Sequence, residues 1–155
     1  MNAETLSQFK KWCNKCERCR ADFKARAQKF GLNPEDSDNV LATLEKEGWI
    51  DERRYAKAFV HDKSVIAKWP EKRIRLTLKT KAIPEIIVQE AMDQEYVLDE
   101  FTEIKRWIDR KIHNYKHNDK RKRYAALFRF LSGKGFPAER ISEVLRDYRV
   151  DSDDV

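Results

Sequence analysis

Apolar residues recur at intervals of three and four along most of this 155-residue chain, which is the spacing of one face of an α-helix. The last helix predicted in each third of the chain has such a face: Val40, Leu41 and Leu44; Ile87, Val88, Ala91 and Met92; Ile141, Val144 and Leu145. A helix early in each third is predicted by Leu6, Phe9 and Trp12; by Tyr55, Phe59, Val60 and Ile66; and by Phe101, Ile104, Ile108 and Ile112. The pattern therefore predicts an all-α protein.

A junction of one kind precedes each of these last helices. Each junction has a basic amphipathic helix, a small residue, one apolar residue and then a proline with an acid one or two positions later. The three junctions occupy residues 23–35, 74–85 and 127–139. Gly31 and Gly135 can adopt the left-handed conformation that closes a helix C-terminus. The equivalent Ala82 predicts a cap that is strained or differently shaped. The prolines suit the first turn of the following helix, where a backbone N–H has no partner; they are Pro34, Pro84 and Pro137.

These junctions predict three tandem three-helix repeats in an elongated, curved array whose concave side can follow a groove. The repeats are predicted at residues 1–48, 49–95 and 96–150, with an acidic tail at 151–155. The same periodicities would allow nine helices in one irregular bundle. The matching spacing of the junctions favours the repeat.

Composition narrows the class of protein. Four glycines and four prolines are too few for an all-β chain with many tight turns. No run approaches the roughly 18 apolar residues that a membrane span needs, and Met1–Leu6 lacks the basic and apolar segments of a secretory signal. We therefore expect a cytoplasmic protein with no membrane partner.

Charge alternates along the chain, although the net charge is only +6. Residues 1–30, 53–81 and 104–134 carry +5, +8 and +9, whereas residues 31–52, 82–103 and 135–155 carry −6, −7 and −3. Each predicted repeat thus has a basic part and an acidic part. A stripe of Lys and Arg can follow phosphates, so the basic parts indicate nucleic acid or another acidic partner.

The basic parts supply the candidate residues for binding DNA or a protein–DNA filament. The central basic helix contributes Lys72, Arg73, Arg75, Lys79 and Lys81. Helical spacing puts Lys72, Arg75 and Lys79 near one face, opposite apolar positions of the same helix. The alternative is a solvated helix face.

Two further groups of basic residues are candidates. The densest cluster consists of Lys116, Lys120, Arg121, Lys122 and Arg123. Cations at the start of a helix oppose its dipole, and this cost suggests a partner; the alternative is a charged loop. Lys24 and Arg26 form the third group.

Several cysteine and histidine residues have spacings that suggest a metal site. Cys13, Cys16 and Cys19 lack the second Cys/His pair of a structural zinc site, and steps of three residues drift by about 60° each around a helix. We interpret them as packed helical thiols, with metal binding or redox sensing as the alternative. His113 and His117 lack the Glu and the third ligand of a metalloprotease site, and we interpret them as a helix end.

Four tryptophans could stack on bases, but core packing is the default interpretation. Trp69 lies beside Pro70 at a turn before the central basic helix, and we expect it to be the exposed one. No Ser-His-Asp set, phosphate-binding glycine loop or pair of catalytic carboxylates is evident. The sequence therefore predicts no enzyme, no metal and no cofactor.

Residues 48–83 carry a more specific pattern. They contain a Gly-Trp-Ile-Asp-Glu turn, an Arg-Tyr-Ala helix and the basic run Lys72-Arg73-Ile74-Arg75-x-x-Leu78-x-x-Lys81. This pattern resembles the central segment of the RecX family. Residues 20–32 resemble the first repeat of that family and residues 127–148 its third. Ala82, where many relatives have glycine, and the short cysteine-bearing start depart from the family.

The resemblance implies a regulator of RecA, the recombinase that forms filaments on single-stranded DNA. RecX-like proteins bind in the groove of that filament and limit its growth, strand exchange, ATPase and co-protease activities, which links them to DNA repair and the SOS response. The resemblance also implies single-stranded DNA, and more weakly duplex DNA, as partners. We expect a monomer.

Two other classes of function remain possible at this point. A helix-turn-helix transcriptional regulator would have similar three-helix units, but its last helix would enter a DNA groove, whereas the last helices here are acidic. A pure protein-interaction array would use its charge only for solubility. Salt-sensitive affinity for DNA is expected of the other two classes and distinguishes them from a pure protein-interaction array.

Overall fold

The computed structural model describes residues 2–114 and 119–153, which form nine α-helices and no β-strand. The helices are α1 (Ala3–Lys15), α2 (Arg20–Phe30), α3 (Pro34–Lys46), α4 (Glu52–His61), α5 (Glu71–Thr80), α6 (Glu85–Glu95), α7 (Glu100–Lys111), α8 (Lys120–Lys134) and α9 (Ala138–Asp153). The predicted all-α class is confirmed. Within these ranges, no helix has both the length and the apolar character needed to cross a bilayer.

The three predicted junctions close in the same way. Gly31, Ala82 and Gly135 are left-handed, with φ of 87°, 57° and 100°. The residue after each one donates its backbone N–H to a carbonyl five positions earlier, in the pairs Leu32–Ala27 (3.1 Å), Ile83–Leu78 (3.1 Å) and Phe136–Leu131 (3.2 Å). The cap at Ala82 therefore has the same shape as the other two. It is strained, because a Cβ is disfavoured in this conformation.

The prolines occupy two different positions. Pro34 is the first residue of α3, as predicted. Pro84 and Pro137 immediately precede α6 and α9, and their carbonyls accept hydrogen bonds from the backbone N–H groups of Val88 and Ile141, each at 3.1 Å. A residue at either position needs no backbone N–H for the helix, so proline fits both positions.

The structure corrects one predicted helix face. α4 ends at His61 and continues as a π-helical turn, Asp62–Ile66. A π turn holds more residues than an α turn, so the spacing of three and four no longer applies there. Ser64 is buried at 0% exposure, whereas Ile66 is 74% exposed. The prediction that Ile66 packs in the core is therefore wrong.

The chain divides into two compact units, of which the first comprises Met1–Asp62 and Thr77–Glu95. A hydrophobic cluster in this unit joins the first three helices, and its buried members are Phe9, Cys13, Phe23, Ala27, Val40, Leu44 and Ile50. Val88, Ala91 and Met92 of α6 are also buried. These positions confirm the faces predicted for α3 and α6.

The second unit comprises Lys63–Leu76 and Tyr96–Val155. Its hydrophobic cluster consists of Ile104, Ile108, Leu127, Leu131, Phe136, Ile141, Val144 and Leu145. Burying each such side chain contributes about 1.5–3 kcal/mol, so α7, α8 and α9 hold one another in place. The faces predicted for α7 and α9 are confirmed.

Candidate nucleic-acid interface

In the second unit, three of the central basic residues lie at the start of α5, namely Lys72, Arg73 and Arg75. Lys72 is exposed. The guanidinium of Arg73 lies 3.7 Å from the centre of the Trp69 ring, and Nε of Arg75 lies 2.9 Å from a carboxylate oxygen of Glu71. Arg73 and Arg75 thus have partners within the chain, and Lys72 presents its charge to solvent.

Trp69 is half-buried, so the prediction of an exposed ring is wrong. Its ring faces two cations of its own chain, because Nζ of Lys63 lies 4.5 Å from the ring centre and Arg73 lies at 3.7 Å. The backbone N–H of Trp69 also donates to the Lys63 carbonyl at 2.8 Å. Cation–π contacts of this kind fix the side chains that make them, and a base stacking here would have to displace one.

The other tryptophans pack as predicted. Trp12 and Trp49 are half-buried against the hydrophobic cluster of the first unit, and Trp107 against that of the second. Trp107 also lies 4.5 Å from Nζ of Lys134. Their role in the core is confirmed.

The turn that carries Trp69 packs against Gly135. A Cβ atom added to Gly135 would lie 2.9 Å from Cβ of Arg73 and 3.3 Å from Cγ of Pro70. Gly135 is therefore required for two reasons, its left-handed backbone and this close approach. The junction between α8 and α9 sets the position of Arg73.

A buried carboxylate fixes the point where α5 begins. Glu100 is 6% exposed, and its Oε1 accepts hydrogen bonds from the Glu71 backbone N–H and the Tyr96 hydroxyl, each at 2.9 Å. Its other oxygen lies 2.9 Å from Nε of Arg140. Burial and the nearby Glu100 charge raise the pKa of Tyr96, so its hydroxyl remains a donor. Glu100 thereby joins the starts of α5 and α7 to α9.

The densest basic cluster lies at the start of α8. The side chains at 120–122 are exposed and Arg123 is half-buried. The Asp119 carboxylate accepts the backbone N–H of Arg121 at 3.0 Å, but the first turn of α8 contains no acid. The predicted conflict between these cations and the helix dipole is thus present. Lys116 lies outside the described residues.

Within the second unit, the two basic groups are far apart. Arg73 packs beside Gly135 at the end of α8, whereas Arg121 lies in the first turn of that helix. At a rise of about 1.5 Å per residue, the two ends of α8 are separated by about 20 Å. The two groups can therefore contact different parts of an extended partner.

In the first unit, Lys79 is exposed but Lys81 has a partner. Nζ of Lys81 lies 2.5 Å from Oδ1 of Asp22. Burial opposes ionisation of Asp22, but hydrogen bonds from Lys81 and Cys19 lower the pKa of its carboxyl. The hydrogen bond to Asp22 also raises the pKa of Lys81, and burial raises the pKa of nearby Tyr55 to about 12. Lys81 thus stabilises the unit, and its role in DNA binding stays a prediction.

Lys24 and Arg26 lie on α2, and both are exposed. The guanidinium of Arg26 lies 5.2 Å from the centre of the Trp12 ring, and that of Arg18 lies 4.4 Å away. An exposed Arg over a ring face can still donate its N–H groups to phosphate, because the contact uses the flat side of the guanidinium.

The three cysteines occupy different environments. Cys13 is buried in α1, Cys16 is exposed just after that helix ends, and Cys19 is buried just before α2. Burial raises the pKa of the Cys13 and Cys19 thiols. The interpretation as packed helical thiols holds for Cys13, whereas Cys16 and Cys19 lie outside the helices.

The described residues contain no group of three or more His, Cys, Asp or Glu side chains placed to hold a metal. His113 lies in a 3-10 turn, Ile112–Asn114, and His117 lies outside the described residues.

Two family models match the chain. The second three-helix domain of RecX matches residues 51–92, and the third three-helix domain matches residues 99–145. The matched residues make up more than half of the chain. The chain belongs to the RecX family. The resemblance in the central basic segment is thereby confirmed.

Relatives named regulatory protein RecX come from several bacteria. The protein of Vibrio campbellii is 31% identical over 121 residues, which are 76% of this chain and 76% of the relative. The protein of Thermus thermophilus is 29% identical over 119 residues, 76% of this chain and 73% of the relative. The protein of Geobacillus kaustophilus is 30% identical over 132 residues, and the match covers only 48% of that longer relative.

Solved structures of RecX proteins share the fold. One crystal structure of regulatory protein RecX has a TM-score of 0.80 at 19% identity, covering 93% of this chain and 72% of the other. RecX from Lactobacillus salivarius has a TM-score of 0.67 at 18% identity, covering 96% and 99%. The predicted helical repeat array is therefore confirmed. The chain is a RecX-type regulatory protein, and the RecX family is not an enzyme family.

Sequence reasoning missed one feature of α8. Tyr124 and Phe128 lie one helical turn apart, and their ring centres are 6.1 Å from each other. The signal was present as two aromatic residues at i and i+4 directly after four consecutive basic residues.

Proposed function

We propose that this RecX-type regulator binds the RecA filament on single-stranded DNA and limits the recombinase, ATPase and co-protease activities of that filament. It would thereby act in DNA repair and in the SOS response. Family membership over residues 51–92 and 99–145 carries the proposal. The regulator acts by contacts, without covalent chemistry.

The exposed cations support contacts to the DNA in the filament. Lys24 and Arg26 on α2, Lys72 and Lys79 on α5, and the side chains at 120–122 on α8 are exposed. Each lies on a basic helix that precedes an acidic one, so phosphates would meet the basic helices. Lys116 is proposed with this last group, from its sequence position alone. Arg73, Arg75, Lys81 and Arg123 are weaker candidates, since the first three have partners within the chain and Arg123 is half-buried.

We also propose that the chain consists of three repeats at residues 1–48, 49–95 and 96–150, followed by the tail at 151–155. The three similar caps at Gly31, Ala82 and Gly135 support this division. Single-stranded DNA and, more weakly, duplex DNA are the proposed nucleic-acid partners of a cytoplasmic monomer.

The experiment is RecA ATP hydrolysis on single-stranded DNA, with this chain present at well below one copy per RecA. The proposal expects a marked fall in the rate. It also expects the double variant Lys72→Gln and Lys79→Gln to need a higher concentration for the same effect, because two exposed phosphate contacts are lost.

A matched control removes the same charge elsewhere. Lys46 on α3 and Lys105 on α7 are also exposed and lie outside α2, α5 and α8, the basic helices that carry the proposed contacts. Lys46→Gln with Lys105→Gln should leave the inhibition unchanged. Unchanged hydrolysis with the folded parent chain, and with RecA from the same organism, would contradict the proposal. Sequence-selective binding to duplex DNA would then favour a transcriptional regulator.

A further inference from the structure

The surface of α8 carries an aromatic hollow. Tyr124 and Phe128 are half-buried, and both pack against the hydrophobic cluster of the second unit. Their ring planes are inclined by only 27°. With Ala125, Arg129 and Ser132 they line an open depression of about 540 Å³ with almost entirely apolar walls. The hollow therefore offers ring surface and apolar floor to a flat ligand.

The residues around this hollow carry positive charge. The first turn of α8 supplies four cations at positions 120–123, and Arg129 lies in the wall. No acid occurs between Lys120 and Lys134. Helical spacing places Lys120 one turn before Tyr124 and Arg121 one turn before Ala125. A ligand in the hollow would therefore lie close to several cations, which favours a polyanion with flat apolar groups.

We propose that this hollow binds single-stranded DNA, with bases stacked on Tyr124 and Phe128 and phosphates on the cations at 120–122. The inference rests on the proposed function, because it specifies how the regulator recognises the DNA strand in its filament. Base stacking on aromatic side chains is tolerant of sequence, since every base has a π face. It makes the surface selective for unpaired DNA, because bases inside a duplex are stacked on one another.

The aromatic pair fits this role better than any tryptophan of the second unit. Trp69 faces Lys63 and Arg73, and Trp107 packs against Phe130 and Lys134. Tyr124 and Phe128 both border the open, largely apolar depression, so a base that enters it would meet their rings. An acidic peptide could match the charge, but it would not need two neighbouring ring faces.

The experiment compares two fluorescent oligonucleotides of about twelve units, one of oligothymidine and one with the same backbone but no bases. Binding to the chain alone is followed by fluorescence anisotropy at fixed salt. Tyr124→Leu and Phe128→Leu keep an apolar side chain against the core but remove the ring. Each should weaken oligothymidine binding about fivefold or more, the loss expected for one stacked base. Neither should change binding of the abasic strand.

Two controls separate stacking from charge and from folding. Tyr124→Phe keeps the ring and should bind oligothymidine as the parent does. Arg121→Gln with Lys122→Gln should weaken both oligonucleotides alike and reduce the slope of log affinity against log salt by roughly 1.4. Equal helix content and equal unfolding midpoints would show that the leucine variants are folded.

Three outcomes would overturn the inference. In the first, the leucine variants bind both oligonucleotides as the parent does. In the second, they lose affinity equally for both oligonucleotides. In the third, they bind both oligonucleotides normally but lose their effect on RecA. The last would mean that the hollow binds a protein. If the ring-dependent affinity is found but RecA is unaffected, the inference stands and the proposed function fails.

Discussion

Replacing Gly135 with alanine should destabilise the protein more than replacing Gly31, although both residues are left-handed caps. An alanine in this conformation costs about 1–2 kcal/mol. The smaller conformational freedom of the unfolded alanine chain offsets roughly 0.4–1 kcal/mol of that cost. Around Gly31 nothing lies within 4 Å of an added Cβ. Gly31→Ala should therefore lower the free energy of unfolding by about 1 kcal/mol.

At Gly135 a second cost applies. The added Cβ would lie 2.9 Å from Cβ of Arg73, well inside the separation of about 3.5–4.0 Å at which carbon atoms attract. A Cβ cannot swing away as the end of a long side chain can, so the backbone of α5 or of the junction must move. Overpacking of this kind costs about 1–3 kcal/mol. Gly135→Ala should thus cost about 2–4 kcal/mol in total.

The assay is urea-induced unfolding of both variants and the parent, followed by far-ultraviolet circular dichroism. The free energy and the dependence on urea are fitted for each protein. Equal losses for the two variants would refute the reasoning, because they would mean that the contact with Arg73 has no energetic effect. A smaller loss at Gly135 would refute it more strongly.

Three further perturbations test other parts of the structure. Ala82→Gly should stabilise the protein by about 0.5–1 kcal/mol in the same assay, since it relieves the strained cap; a loss of stability would show that the cap is unstrained. Glu100→Gln should lower the free energy of unfolding by about 1–2 kcal/mol, a value discounted because its partner Arg140 is 42% exposed. Glu103→Gln is the control, since Glu103 contacts Arg106 on its own helix, and it should lower that free energy by about 0.5 kcal/mol. Asp22→Asn should lower the thermal midpoint at pH 7, and this difference should shrink at both low and high pH; a constant difference would contradict the role of the Asp22–Lys81 pair.

The pH dependence follows from the direction of the two shifts. The pKa of Asp22 is lowered in the folded protein, so its contribution is present above the ordinary value of 3.8 and is lost as pH falls through the lowered value. The pKa of Lys81 is raised, so its contribution is present below 10.5 and is lost as pH rises through the raised value. The pair is therefore expected to stabilise the protein most between these two limits.

The sequence predicted features that depend on local pattern. Gly31, Gly135 and the apolar face of α9 follow from cap chemistry and helical spacing, which involve residues close in sequence. Ala82 shows the limit of that reasoning, because the strain was predicted and the unchanged shape was not. The π turn ending at Ile66 was missed, since a single extra residue in a turn leaves no mark in an apolar pattern.

The candidate site could be predicted only in part. Helical spacing predicted that Lys72, Arg75 and Lys79 lie opposite the apolar face of α5. Lys72 and Lys79 are exposed, whereas Arg75 is half-buried and pairs with Glu71. Arg73 packs beside Gly135, and Lys81 pairs with Asp22; both neighbours are distant in the sequence. Contacts over such separations depend on tertiary packing, and a spacing rule does not contain them. The hollow at Tyr124 and Phe128 likewise depends on how α8 packs.

The lifetime of RecA filaments on single-stranded DNA tests the central claim most directly. Labelled RecA would be assembled on immobilised single-stranded DNA and its loss followed by fluorescence, with this chain present at a small fraction of the RecA concentration. The account predicts that filaments shorten faster with the parent chain than with the variant that carries Lys72→Gln and Lys79→Gln. Filaments that persist equally long with and without the folded chain would contradict it.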